Sequence, residues 1–225
     1  MTKNYYTTKL FYNKYIYKIR IKNNISTIFR GLNLRYAKSR LDEMQQSAES
    51  DLPIPSPFWR GLREPRYVSL ETFMDACVIH NVLEKNKSRC MVRCEGVTLD
   101  IYSNEKDWLE DLSKLLCVEE FHQPEKDTED FLKNNVDVVI SPEEVIWPYK
   151  VYLGRFVDPN FAVYCDNNPH IKIGKKALEC IRKQQYVQGF YFWIKTENQL
   201  MLAKIALGGG IGKVVKFVSK ADLHK

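Results

Sequence analysis

Apolar and basic side chains alternate around Ile16: Tyr15, Tyr17, Ile19 and Ile21 fall on one side, Lys14, Lys18, Arg20 and Lys22 on the other. A period of two in aromatic and β-branched residues predicts a half-buried strand over 15–22. From Asn33 the period changes. Leu34, Ala37, Leu41, Met44 and Ala48 recur at helical steps behind Asn33, a residue suited to the N-cap. A second helix follows Ser69, with Leu70, Phe73, Met74, Cys77 and Val82 as its apolar side. Residues 89–94 and 97–102 predict a hairpin across Glu95-Gly96. A third helix is expected from about Asn104, carrying Trp108, Leu109, Leu112, Leu115 and Leu116.

Between these elements the punctuation is clear. Residues 51–66 contain Pro53, Pro55, Pro57 and Pro65 and read as an extended connector bearing Phe58, Trp59, Arg60, Arg63 and Arg66. Residues 119–130 read as an acidic loop and 136–140 as a compact strand. Ser141-Pro142-Glu143-Glu144 has the N-cap, first-turn proline and capping-box acid of a short helical turn.

The remainder reads as a second unit. It comprises a strand at 149–153, a helix at 175–183 burying Leu178 and Ile181, a hairpin of 190–195 with 200–207, and a closing strand at 214–218. The expected architecture is α+β, with domains at 1–147 and 148–225. Each domain approximates a ferredoxin-like βαββαβ unit with a mainly antiparallel sheet.

Charge sharpens the picture. Residues 1–90 carry 16 Lys+Arg against 8 Asp+Glu, residues 91–147 carry 5 against 15, and residues 148–225 carry 13 against 5, within a net charge of +6. Two basic segments around an acidic one suit a polyanionic partner, or acidic and basic segments that face one another in the fold. The first ten residues are polar and no apolar run reaches the roughly 20 residues of a membrane span, so an intracellular, cytoplasmic protein is expected. Without an export signal, the six scattered cysteines read as reduced thiols. No motif asks for a metal or a cofactor. Asp107, Glu110 and Asp111 read as the solvated face of the third helix. His80, His122, His170 and His224 are scattered and form no metal or relaxase pair.

Two constellations carry the functional expectation. In 190–195, Tyr191, Trp193 and Lys195 share the face opposite Phe190, Phe192 and Ile194, the arrangement on which a sheet stacks unpaired bases. The loop Gly208-Gly209-Gly210-Ile211-Gly212-Lys213 lets backbone N–H groups converge on an anion, with Lys213 adding charge. It is not a Walker A loop, since Val214 stands where a Ser or Thr is required. The expected nucleic-acid site is therefore Lys14, Lys18, Arg20, Lys22, Arg60, Arg63, Tyr191, Trp193, Lys195, Gly209, Gly210, Gly212 and Lys213. The expected function is non-enzymatic binding of single-stranded or structured RNA or DNA. Lys-, Asn-, Ile- and Tyr-rich usage, typical of AT-rich genomes, suggests a viral replication or expression complex. A protein partner is expected at 51–66 or at the acidic 119–130 loop, which leaves a viral structural or host-interaction protein as a further alternative.

The strand order of 149–218 and its Gly-rich loop before the last strand are similar to those of CRISPR RNA-processing endoribonucleases of the repeat-associated class. That resemblance implies tandem ferredoxin-like units and metal-independent RNA cleavage, often with a histidine as general base. It assigns that role to none of the four histidines here.

Overall fold

The computed structural model describes residues 2–57 and 66–223 of the 225-residue chain. Phe58, Trp59, Arg60, Arg63 and His224 thus lie outside the described residues. The chain divides into two compact units, Met1–Thr7 with Phe11–Glu129, and Thr8–Leu10 with Asp130–Lys225. The boundary expected at 147/148 falls inside the second of these.

The first unit contains, in chain order, β1 (Lys3–Thr7), β2 (Tyr17–Lys22), α1 (Leu34–Glu49), β3 (Ile54–Pro55), β4 (Tyr67–Val68), α2 (Leu70–Asn86), β5 (Cys90–Glu95), β6 (Thr98–Ser103), α3 (Asp107–Leu112) and β7 (Val118–Pro124). Its main sheet has the order β1-β7-β2-β6-β5. The alternation of β2 places Ile19 and Ile21 in the core with Leu41, Met44, Ile79 and Leu83 of the helices. Asn33 caps α1 by accepting from the Tyr36 N–H at 3.1 Å, and Ser69 caps α2 by accepting from Thr72 N–H at 3.2 Å. β3 and β4 form a short antiparallel ribbon, so the proline-rich stretch holds one regular element.

The second unit runs α4 (Glu129–Asn134), β8 (Val138–Ser141), β9 (Tyr149–Leu153), α5 (Asn160–Asp166), β10 (Ile171–Ile173), α6 (Lys175–Arg182), β11 (Tyr191–Ile194), α7 (Glu197–Leu207) and β12 (Ile211–Ser219). Its sheet has the order β8-β12-β9-β11-β10. Val151, Phe161, Ile181, Phe192, Ile194 and Leu200 belong to its core.

Both sheets are mixed and mostly antiparallel, as expected of an α+β chain, but each has one parallel pair: β1 with β7, and β8 with β12. The two units also share a connectivity. In each, the leading strand lies outermost, followed by the last strand, the second, the fourth and the third.

Several sequence expectations are corrected. Residues 119–124 of the supposed acidic loop belong to β7, a strand between β1 and β2, because Val118 and Phe121 are core residues and the carboxylates between them face basic β2. Residues 200–207 lie in helix α7, not a strand. Thr196 accepts from Gln199 N–H at 3.3 Å at its start, and Gly208 at φ +54° ends it. The Ser141–Glu144 turn does not become a helix: Ser141 closes β8, and its hydroxyl accepts from Glu143 N–H at 3.2 Å. Helix α3 stops at Leu112, leaving Leu116 exposed. On α2, Leu70 and Met74 face solvent and not the core. Strands β1 and β10 and helices α4 and α5 had no counterpart in the sequence reading.

Candidate functional site

β11 alternates as its sequence requires. Phe192 and Ile194 are fully buried, Phe192 with its ring 5.2 Å from that of Phe161. Tyr191 and Trp193 lie on the opposite face, Tyr191 42% exposed and Trp193 half-buried. The neighbouring strands complete that face. Trp193 is in register with Lys172 of β10 and Lys150 of β9, while Tyr191 is in register with Tyr152. Tyr152 in turn is in register with Lys213 of β12.

Lys150 holds the centre. Its ammonium lies 3.8 Å from the centroid of the Tyr191 ring, 5.1 Å from Tyr152 and 5.4 Å from Trp193. The rings also touch one another: Tyr152 and Tyr191 at 5.9 Å, Tyr191 and Trp193 edge to face at 6.1 Å, and Trp193 and Phe217 at 5.1 Å. The negative ring faces attract a cation that no carboxylate neutralises among the described residues. The half-exposed aromatic surface can stack a base, and Lys150 and the exposed Lys172 can meet the phosphates that join such bases.

Other expected site residues are placed differently. Lys195 is exposed just beyond β11, where its N–H donates to the His170 carbonyl at 3.1 Å. Lys213 forms an ion pair with Asp137 at 2.9 Å. The Gly-rich loop has packing reasons for its composition. Gly208 takes a positive φ as the cap of α7, and a Cβ on Gly210 would meet Val157 Cγ2 at 3.2 Å. A Cβ on Gly212 would lie 3.1 Å from the Leu153 carbonyl oxygen. Gly209 alone of the three expected there faces open space.

Three of the four residues of the basic ladder in the first unit are matched by carboxylates. Lys18 is 7% exposed, with its ammonium 3.3 Å from Asp100. Arg20 grips the same carboxylate through two nitrogens, at 2.7 and 3.0 Å, and reaches Glu120 at 3.5 Å. Lys22 faces Glu119 at 3.8 Å. Lys14 lies before β2, its ammonium over the Tyr15 ring at 5.1 Å. His122 completes the network, its Nε2 2.8 Å from Glu120 and its ring stacked on Tyr5 at 4.9 Å. Burial would raise the Asp100 carboxyl, but the Arg20 hydrogen bond and the Lys18 and Arg20 charges outweigh it and hold the group below its ordinary range. Burial lowers His122, more than its hydrogen bond to Glu120 raises it.

Arg60 and Arg63 lie outside the described residues. Among the described residues no group of three or more His, Cys, Asp or Glu could hold a metal, and no helix is long and apolar enough to cross a membrane. The six cysteines are free thiols, and burial pushes Cys90 and Cys94 up to about 11. The sequence reading missed Lys150, Tyr152, Lys172, Phe217 and the acid partners of β2. The first two were readable, since Lys150 and Tyr152 alternate with Tyr149, Val151 and Leu153. Comparison with family models, with curated proteins and with solved structures finds no match.

Proposed function

We propose that the chain binds single-stranded nucleic acid without cleaving it, on the open face of the second unit's sheet. The observation that carries this reading is the Lys150 ammonium among Tyr152, Tyr191 and Trp193, a cation with aromatic neighbours and no counter-charge among the described residues. Bases stack on Tyr191 and Trp193, and Lys150 and Lys172 meet phosphate. The matched ladder of β2 and the packed glycines take no direct part. The strand order common to both units supports a reading of each as a ferredoxin-like βαββαβ unit with one added parallel edge strand. Such a fold serves many functions, so the functional reading rests on the face and not on the fold.

The test is fluorescence anisotropy with labelled oligouridylate and oligothymidylate over a salt series, in chelator. Binding is expected to weaken steeply as salt rises, because each neutralised phosphate releases counterion. Trp193→Ala is expected to weaken it about tenfold or more, since a stacked base contributes ~1–3 kcal/mol. Wild-type protein that binds neither oligonucleotide, or a folded Trp193→Ala variant that binds like wild type, overturns the reading. Cleavage of the RNA in chelator overturns its non-enzymatic part.

A further inference from the structure

A second set of unmatched cations lies in the first unit. Asn24, Thr27, Arg30, Asn33, Tyr36 and Arg66 line a cavity of about 650 Å³, and no Asp or Glu is among the described residues around it. Among the described residues, four of the five other arginines of this unit are paired within it, Arg35 being the exception. Arg20, Arg40, Arg89 and Arg93 are each paired with a carboxylate: Asp100, Glu43, Glu105 and Glu95. Among the described residues, Arg30 and Arg66 have no such partner, and both are exposed.

Three further features lie at the cavity, the first of them electrostatic. Asn33 and Tyr36 belong to the start of α1, a helix of 16 residues with no acidic side chain in its first turn. The positive end of its dipole is therefore unopposed by the helix's own sequence. Thr27, a partly buried lining residue, has a hydroxyl without a hydrogen-bond partner among the described residues, which is costly for a buried polar group. Between Arg30 and Asn33 the backbone is strained: Leu32 stands at φ +55°, directly after Gly31 at φ +64°. A leucine in that region is uncommon, and such strain concentrates where a loop is held for binding. Arg66 is also fixed, its carbonyl accepting from Ser56 N–H at 2.8 Å beside the β3–β4 ribbon.

We propose that this cavity binds a phosphoryl group, with the two guanidinium groups as its clamp and the N-terminus of α1 behind it. Guanidinium matches phosphate through paired N–H donors, which an ammonium does not. Tyr36, about half exposed, offers a ring for whatever the phosphate carries. The phosphoryl group comes either from a free nucleoside phosphate or from the terminal phosphate of a strand. The site lies in a different unit from the aromatic face and does not rest on the nucleic-acid reading above.

The experiment is a titration of the full chain, by calorimetry, with AMP, with adenosine, and with a hexanucleotide bearing either a 5′-phosphate or a 5′-hydroxyl. The expected result is that a phosphate-bearing probe binds at least tenfold more tightly than its phosphate-free counterpart. The double variant Arg30→Gln/Arg66→Gln is expected to lose that preference while melting like wild type, and Arg30→Lys to retain only part of it. A preference shown by AMP assigns the site to a free nucleoside phosphate. One shown only by the hexanucleotide assigns it to a strand end. Trp193→Ala, which removes the stacking platform of the other unit, should leave the preference intact. The proposal is overturned if neither pair of probes shows a preference, or if the preference survives in the double variant.

Discussion

Lys18 and Lys150 hold corresponding positions in two sheets of one connectivity, yet their surroundings are opposite. Each sits on the second strand of its five-stranded sheet and is in register with an aromatic residue of that sheet's fourth strand in chain order, Tyr102 for Lys18 and Trp193 for Lys150. The Lys18 ammonium meets Asp100, and the next row across that sheet runs Lys3, Glu120, Arg20, Asp100 and Arg93, alternating in sign. The Lys150 ammonium meets three rings instead. Identical strand order and identical alternation thus produce one face closed by its own ion pairs and one left open to a counter-ion. The side chains contributed by neighbouring strands make that difference, because they determine whether a lysine's charge is answered within the fold.

The contrast is most severely tested by removing the acid at the centre of the closed face. Asp100→Ala leaves Lys18 buried without a partner and is expected to destabilise the first unit by about 3–5 kcal/mol. Lys150→Gln, at the corresponding position of the open face, is expected to leave urea unfolding nearly unchanged. Equal effects of the two substitutions would remove the distinction between the faces.

Adjacent residues of β11 offer a second comparison. Phe192→Ala opens a cavity in the core and is expected to cost roughly 3–5 kcal/mol, whereas Trp193→Ala should change nucleic-acid affinity and move the melting temperature little. Paired melting and binding measurements separate them. If both variants unfold the protein, the strand is packed on both sides and cannot serve as a platform.

Acid should act on the closed face in two stages. His122 is held below its ordinary value of 6.5, so the unfolded chain takes up that proton first and stability falls as pH drops below 6.5. The Asp100 and Glu120 carboxyls are held below their ordinary values of 3.8 and 4.5. Their contribution is present above those values and is lost as pH falls through the lower values of the fold. Urea midpoints for the first unit between pH 7 and pH 3 should show both losses, and His122→Gln should abolish the upper one. A midpoint flat across that range contradicts the network.

The smallest expected effect tests a helix boundary in the second unit, behind the open face. Thr196→Ala removes the cap of α7 and should cost about 1 kcal/mol, readable as a lower melting temperature with oligonucleotide affinity unchanged. A loss of affinity without a loss of stability would place Thr196 at the ligand.

Much of this was legible where local pattern and final environment agree. The alternation of β2 and β11, the cap at Asn33, the helix that follows Ser69, and the β5–β6 hairpin all follow from residues close together in the chain. β7 was hidden because Glu119 and Glu120 suggest a solvated loop, until Lys22 and Arg20 are brought beside them. α7 was hidden because Met201, Leu202 and Ile205 are exposed while Leu200, Ala203 and Leu207 are buried, so apolar residues surround the helix and show no period. At the open face, Tyr191 and Trp193 were visible as a pair, but Lys150 and Lys172 join them only through register.

The sequence by itself determined which side chains share a face of each strand, because alternation follows from backbone geometry alone. It also determined where the charge lies along the chain. Only the tertiary structure decided which charges cancel. Lys18 and Lys150 are both lysines on alternating strands, and nothing within a few residues distinguishes them. Their difference comes from Asp100 on β6 and from Tyr191 and Trp193 on β11, brought into register by sheet pairing. Cross-strand partners lie a few ångströms apart in space but many residues apart in sequence, so whether a cation is neutralised within the fold or left for a ligand depends on the fold's long-range pairing.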